Sequence, residues 1–217
     1  MPRYPDTLVT IDPGLARLGW AAFDTTGLTL HPRATLLRGR LLRFGSVSSD
    51  PHAPTEARLA SMLDALGHAL VLALPDADPG ATAVIIERPA VGGAYFRNKQ
   101  INFAAIASGI ADLHLSIGSI AGWGIASGFA VGFRHPNTMG KTERWDRCKL
   151  AFGPAVATTT NPEERDAVWL GVQVMLDGRR KWAEGDATPR PDATTPVRLS
   201  ERELSRALAP DGLQGPR

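Results

Sequence analysis

Cysteine is nearly absent: the 217 residues hold one, Cys148, so an intramolecular disulfide and a thiolate zinc site are both excluded. Long apolar runs are missing too, because Gly and polar residues interrupt the stretch from Ile101 to Phe133 before it reaches the roughly 18 residues a membrane span needs. The opening MPRYPDTLV lacks the apolar centre of a secretory leader, so no membrane association is expected and the expected compartment is the cytoplasm. A large excess of one charge is also lacking, since 24 Lys and Arg nearly cancel 22 Asp and Glu to leave +2. No internal repeat is visible. With 43% apolar and 21% charged residues the chain reads as a soluble globular protein, and 22 Gly with 17 Pro imply many loops without reaching the composition of collagen-like or disordered chains. The length suits one sizeable domain with a tail.

What is present reads as an α/β pattern. Thr7 to Ile11 (TLVTI) and Gly19 to Phe23 (GWAAF) are β-prone runs separated by the turn Asp12-Pro13-Gly14, which predicts a hairpin. Leu41 to Val47 supplies a third strand of an antiparallel meander, with Gly45 a candidate bulge. From Thr55 the period changes: Leu59, Met62, Leu63, Leu66, Leu70, Ala73 and Leu74 share one helical face. Thr82 to Ile86 (TAVII) has the continuous apolar character of a buried central strand and ends at Glu87. A Gly-rich, charged loop follows, then a predicted helix from about Gln100 to Ile117 whose small residues Ala104, Ala105, Ser108, Gly109 and Ala111 allow close approach of another element. A further strand is expected within Ile120 to Val131. Asn161-Pro162-Glu163-Glu164 is a helix start, with Asn as N-cap and Pro at the first position, and that helix is expected to end near Asp177. The domain is thus placed at residues 1–177, and residues 178–217 form a polar, Pro-rich tail whose Ser200 and Glu203 cap a short last helix through about Ala209.

Acidic residues stand where strands end or a helix begins: Asp12, Glu87, and Glu163 with Asp166, whose spacing of three puts the last two side by side. If the first and fourth strands are neighbours, these carboxylates converge on one edge of the sheet, where they repel one another unless divalent cations neutralise them. Oxygen donors suit Mg²⁺ or Mn²⁺, and two such ions about 4 Å apart can activate a water and hold a scissile phosphate. Each residue also has a plainer role. Asp12 could be a turn residue, Arg88 could pair with Glu87, and Glu163 and Glu164 could complement a helix dipole. Between Arg88 and Lys149 basic residues outnumber acidic ones, which suits a polyanion or a solvated helix face.

Ile11-Asp12-Pro13-Gly14 with Gly19-Trp20 beyond, then Ile85-Ile86-Glu87 after a helix, then Glu163 and Asp166 opening an apolar helix (ERDAVWLGVQ), resembles the RuvC family of Holliday-junction resolvases over roughly Leu8 to Met175. The resemblance implies a ribonuclease H-like fold, with a mixed sheet of about five strands flanked by helices. It also implies a homodimer that cleaves four-way DNA junctions with two Mg²⁺ ions per active site, Mn²⁺ able to substitute, and no small-molecule cofactor. Carried over by position, Asp12, Glu87 and Asp166 match the family's carboxylates, and Glu163 matches a position that can be Asp or His there. Lys141 resembles the family's lysine ahead of a basic helix, and Lys141, Arg144, Arg97 and Lys99 become candidate DNA contacts. The family's bacterial members carry a junction-wedging aromatic soon after the central Glu, where this chain has Arg88, Pro89 and Ala90; Tyr95 and Phe96 are the nearest candidates for that role. Such departures suggest a divergent branch, for instance a phage-encoded one.

Other readings use the same residues differently. The same fold could act on other branched DNA or on RNA–DNA hybrids. An actin-like-fold kinase or ATPase would need a second Gly-rich phosphate loop that the chain does not show. An inactive nucleic-acid-binding scaffold would have no use for all four carboxylates. Trp20, Trp169 and Cys148 read as core residues, and the five histidines show no metal-ligand spacing, although His135 beside Arg134 could touch phosphate.

Overall fold

The computed structural model describes residues 5–28, 37, 40–88, 103–135, 141–157, 159 and 161–183. In chain order these form β1 (Thr7–Asp12), β2 (Arg17–Asp24), β3 (Leu41–Ser48), α1 (Thr55–Ala73), a 3-10 turn (Pro79–Ala81), β4 (Thr82–Glu87), α2 (Phe103–Ala126), β5 (Ala130–Arg134), α3 (Lys141–Phe152), α4 (Pro154–Ala157) and α5 (Pro162–Ala183). The five strands make one mixed sheet in the order β3-β2-β1-β4-β5. The meander pairs antiparallel, while β4 lies parallel to β1 and β5 parallel to β4. No helix among the described residues is long and apolar enough to cross a membrane.

Alternation along the central strands separates two cores. Val9 and Ile11 of β1 and Val84 and Ile86 of β4 face α1 and α2, where Met62, Leu66, Ile117 and Ile120 are buried against them. Leu8 of β1 and Ala21 and Phe23 of β2 face the other way, onto Ala167, Val168, Val172 and Met175 of α5 and onto Trp145 and Cys148 of α3. Every residue of α5 from Ala167 to Gln173 is buried, because the sheet covers one side of this helix and α3 packs on another.

Four expectations shift. The helix expected to stop near Ile117 continues to Ala126, since Ile117, Ile120, Ala121 and Gly124 keep the i, i+3, i+4, i+7 spacing of a buried helical stripe through the glycines that suggested a strand. The strand itself follows as Ala130–Arg134, after a turn in which Gly128 takes φ +83°. The register shift lies at Ala22/Phe23, whose partners are Arg43 and Leu41, and Gly45 stays in the regular ladder opposite Trp20, whose indole would lie 3.3 Å from a Cβ placed there. Finally, α5 runs past Asp177 to Ala183, so the helix and not a linker continues through Gly178. The rest of the tail, including the expected helix from Ser200 to Ala209, lies outside the described residues.

Candidate active site

The register fixes the first two carboxylates. Ile11 pairs with Ile86 across the parallel β1–β4 ladder, so Asp12 and Glu87 stand one residue further on, side by side at the same strand ends. Both fall on the face that carries Leu8 and Ala83, the face covered by α5. On the far side of Glu87, β5 places Arg134 in register. The turn after Asp12 is pinned from outside: Ser49 Oγ donates to the Leu15 carbonyl at 2.7 Å and Arg58 Nη2 donates to the same oxygen at 3.0 Å.

The other two carboxylates arrive with the first turns of α5. Asn161 Oδ1 accepts from the Glu163 amide at 3.0 Å, the N-cap that the sequence predicts. This helix end lies on β2 at Gly19, which pairs with Asp12, and a Cβ at Gly19 would run into the carbonyl group of Glu163 and come within 2.9 Å of the Glu164 nitrogen. Two hydrogen bonds hold the approach. Thr10 Oγ1, two residues before Asp12, donates to the Ala167 carbonyl at 2.7 Å, and Ser46 Oγ on β3 donates to Glu164 Oε1 at 3.0 Å. Glu164 also accepts from Thr159 Oγ1, so it anchors the helix end and does more than complement the dipole. Gly19, Thr10 and Ser46 therefore seat the Glu163–Asp166 turn beside Asp12.

Four carboxylates, Asp12, Glu87, Glu163 and Asp166, thus share one end of the sheet, all half-buried. Glu163 Oε2 is buried without a hydrogen-bond partner, an arrangement that is costly for a carboxylate oxygen unless a cation or donor serves it. Among the described residues, no three His, Cys, Asp or Glu side chains are gathered tightly enough as they stand to hold a metal ion.

A pocket of about 210 Å³ opens beside Asp166, between α3 and the start of α5. Arg144, Lys149 and Arg165 line it with Trp145, Asp146 and Asp166, so cations border the carboxylate cluster on this side. Arg147 belongs to the solvated face instead, paired with Glu143 at 3.0 Å, and Lys149 bonds Asp146 at 3.0 Å. Lys141 opens α3, while Tyr95, Phe96, Arg97 and Lys99 lie outside the described residues. His135 Nδ1 lies 3.0 Å from the Arg88 carbonyl, which gives that ring a backbone partner. Trp20 and Trp169 are buried as expected, and Cys148 is fully buried, its thiol pushed up to about 12 by desolvation and, secondarily, by the charge of Asp166. Sequence reasoning passed over Arg165 and Trp145. The available signal was a cation in the first turn of a helix, within the run Glu163-Glu164-Arg165-Asp166, where the dipole disfavours positive charge.

No known family pattern matches the chain. A curated relative, the crossover junction endodeoxyribonuclease RuvC of Chelativorans sp. (strain BNC1), is 32% identical over 84 residues, which is 39% of this chain and 43% of that protein. The match therefore spans less than half the length of the relative. Among solved structures, Thermus thermophilus RuvC aligns with a TM-score of 0.54 at 16% identity, covering 80% of this chain and 96% of that one. T. thermophilus RuvC in complex with Holliday junction substrate aligns with a TM-score of 0.57 at 18% identity, covering 80% and 95%. The chain is thus similar in sequence to a RuvC over 84 residues, and it has the ribonuclease H-like fold of T. thermophilus RuvC.

Proposed function

We propose that the protein is a metal-dependent, structure-selective DNA endonuclease of the RuvC kind, which resolves four-way junctions by paired phosphodiester hydrolysis. The observation that carries this reading is the placement of Asp12 and Glu87 at adjacent parallel strand ends with the Glu163–Asp166 turn seated beside them. The donor set is all carboxylate oxygen, which fits Mg²⁺, with Mn²⁺ as a substitute, and the unpartnered Glu163 Oε2 fits a cation ligand. Asp12, Glu87 and Asp166 would hold the metal and Glu163 would assist; ion binding has to draw these side chains together. Two bound ions would supply a water nucleophile and charge stabilisation at the leaving oxygen.

The chain's own residues set the geometry. The seat on Gly19 and the bond from Thr10 fix the helical carboxylates against the strand carboxylates, so the four approach the phosphate from one side. Arg144 and Lys149 extend this edge as a cationic wall that holds the DNA backbone next to the cleaved bond. Symmetric nicks need two sites related by a two-fold axis, and a homodimer provides them. Support for pairing through α2 comes from Gly109, Ile110 and Leu115, which are exposed on this helix, with nothing near the position of a Gly109 Cβ. The setting of such an enzyme is the cytoplasm, with DNA.

The test is substitution. Asp12→Asn, Glu87→Gln and Asp166→Asn should each abolish cleavage of a synthetic junction while its affinity stays within about twofold, because one ligand charge is removed and phosphate contacts are untouched. Glu163→Gln should be milder. A variant of the first three that cuts at the wild-type rate removes its residue from the site.

A further inference from the structure

The guanidinium of Arg165 ties together three segments. Its Nε and Nη2 both donate to the Thr159 carbonyl, at 3.1 and 2.8 Å, and its central carbon lies 4.9 Å from the centre of the Trp145 ring on α3. Trp145 itself is buried. Thr159 in turn bonds Glu164, which accepts from Ser46 on β3 at 3.0 Å and from Asn161 Nδ2 at 3.4 Å. One polar chain therefore runs from the sheet, through the N-terminal turn of α5, to the basic helix α3. Arg165 is its last link, and it stands next to Asp166 on the wall of the pocket that Arg144 and Lys149 also line.

This geometry argues against a simple charge contact. Two of the guanidinium nitrogens are committed to a backbone oxygen and one face is stacked, a use of planarity and fork geometry that lysine cannot reproduce. A cation near the start of a helix also opposes the helix dipole, so the dipole gives no reason for an Arg at this position.

We propose that Arg165 is a positioning residue that locks the DNA-binding helix α3 to the carboxylate-bearing turn of α5. Phosphate held by Arg144 and Lys149 and the bond cut at Asp12, Glu87 and Asp166 are thereby kept at one fixed separation. The inference rests on the nuclease reading above. It separates binding from hydrolysis: loosening the lock leaves the cationic wall able to bind DNA but lets the phosphate wander relative to the carboxylates, where small misplacements are expensive in rate.

The experiment compares wild type with Arg165→Lys, Trp145→Phe, Trp145→Leu and the double variant Arg165→Lys/Trp145→Leu. Junction affinity is read by fluorescence anisotropy in EDTA, and cleavage by single-turnover kinetics at saturating enzyme with Mg²⁺. Arg165→Lys keeps the charge and should cut about tenfold more slowly with affinity changed less than twofold. Trp145→Phe keeps an aromatic face and should cut at close to the wild-type rate, whereas Trp145→Leu should match Arg165→Lys. The double variant should be no slower than either single one, since both break the same link. Wild-type cleavage by Arg165→Lys, affinity loss in step with rate loss, rate losses that multiply in the double variant, or failure of Arg165→Lys to fold would each overturn the proposal. A wild-type protein that cuts no DNA would instead refute the nuclease reading, and the link would then be tested by the same cycle in thermal unfolding, where additive losses overturn it.

Discussion

Gly19→Ala is the smallest change that separates the two halves of the proposed site. The added Cβ would come within 2.9 Å of the Glu164 nitrogen and closer still to the Glu163 carbonyl, while ordinary contact starts at 3.4 Å. These are backbone atoms of a helix end, so no side chain can rotate away, and clearing the Glu163 carbonyl group requires the start of α5 to lift by more than about 1 Å. Such overpacking should lower stability by about 1–3 kcal/mol, read as a shifted urea midpoint with unchanged slope. Because Glu163 and Asp166 travel with the helix end while Asp12 and Glu87 stay on the sheet, cleavage at saturating enzyme should fall on the order of 10- to 100-fold, with junction affinity nearly unchanged. Gly67→Ala on α1 is the matched control: its Cβ would make only ordinary contact with Trp123, at 3.8 Å, and it should leave cleavage alone and add up to about 1 kcal/mol of helix stability. A Gly19→Ala protein with wild-type stability and rate would refute the claim that this contact sets the site.

Three further outcomes follow from the same contacts. Thr10→Val removes the buried donor to the Ala167 carbonyl and should cost about 1 kcal/mol, a fall in Tm of about 2–4 °C by calorimetry. Arg144→Ala and Lys149→Ala, on the pocket wall, should each weaken junction binding and lower the salt slope by about 0.9, whereas Arg147→Ala, which does not line that pocket, should change neither. For Cys148 the folded chain keeps a proton up to about pH 12 that the unfolded chain releases near 9.0, so its contribution is fully present below pH 9 and is lost as pH rises from 9 to 12. Stability should fall by up to about 1.4 kcal/mol per pH unit in that window, Cys148→Ala should flatten the slope, and the native thiol should resist alkylation at pH 8.

The meander, α1, β4 and the N-cap of α5 were legible because each is a local signal: β-branched runs, a 3.6-residue stripe, and Asn-Pro-Glu at a helix start. Asp12 and Glu87 were legible as residues at strand ends, and the parallel pairing of β1 with β4 puts these two ends side by side, which spacing alone could not show. The extent of α2 was hidden by Gly122 and Gly124, which read as breakers although the buried stripe through Ile117, Ile120 and Ala121 carries the helix over them. Gly19 looked like an ordinary strand residue. Its importance comes from a helix end that arrives more than a hundred residues later, and no local pattern reports such an approach. The Arg165–Trp145 stack was invisible for the same reason, since it joins two helices at no periodic spacing.

The central claim is tested most directly by incubating the protein with a mobile four-way junction, a flap, a duplex and an RNA–DNA hybrid, each with Mg²⁺ or EDTA. The account predicts symmetric paired nicks in the junction alone, leaving 5′-phosphate and 3′-hydroxyl ends, and none in EDTA or with Asp12→Asn. Equal cutting of duplex, cutting that survives EDTA, or an intact junction would contradict it.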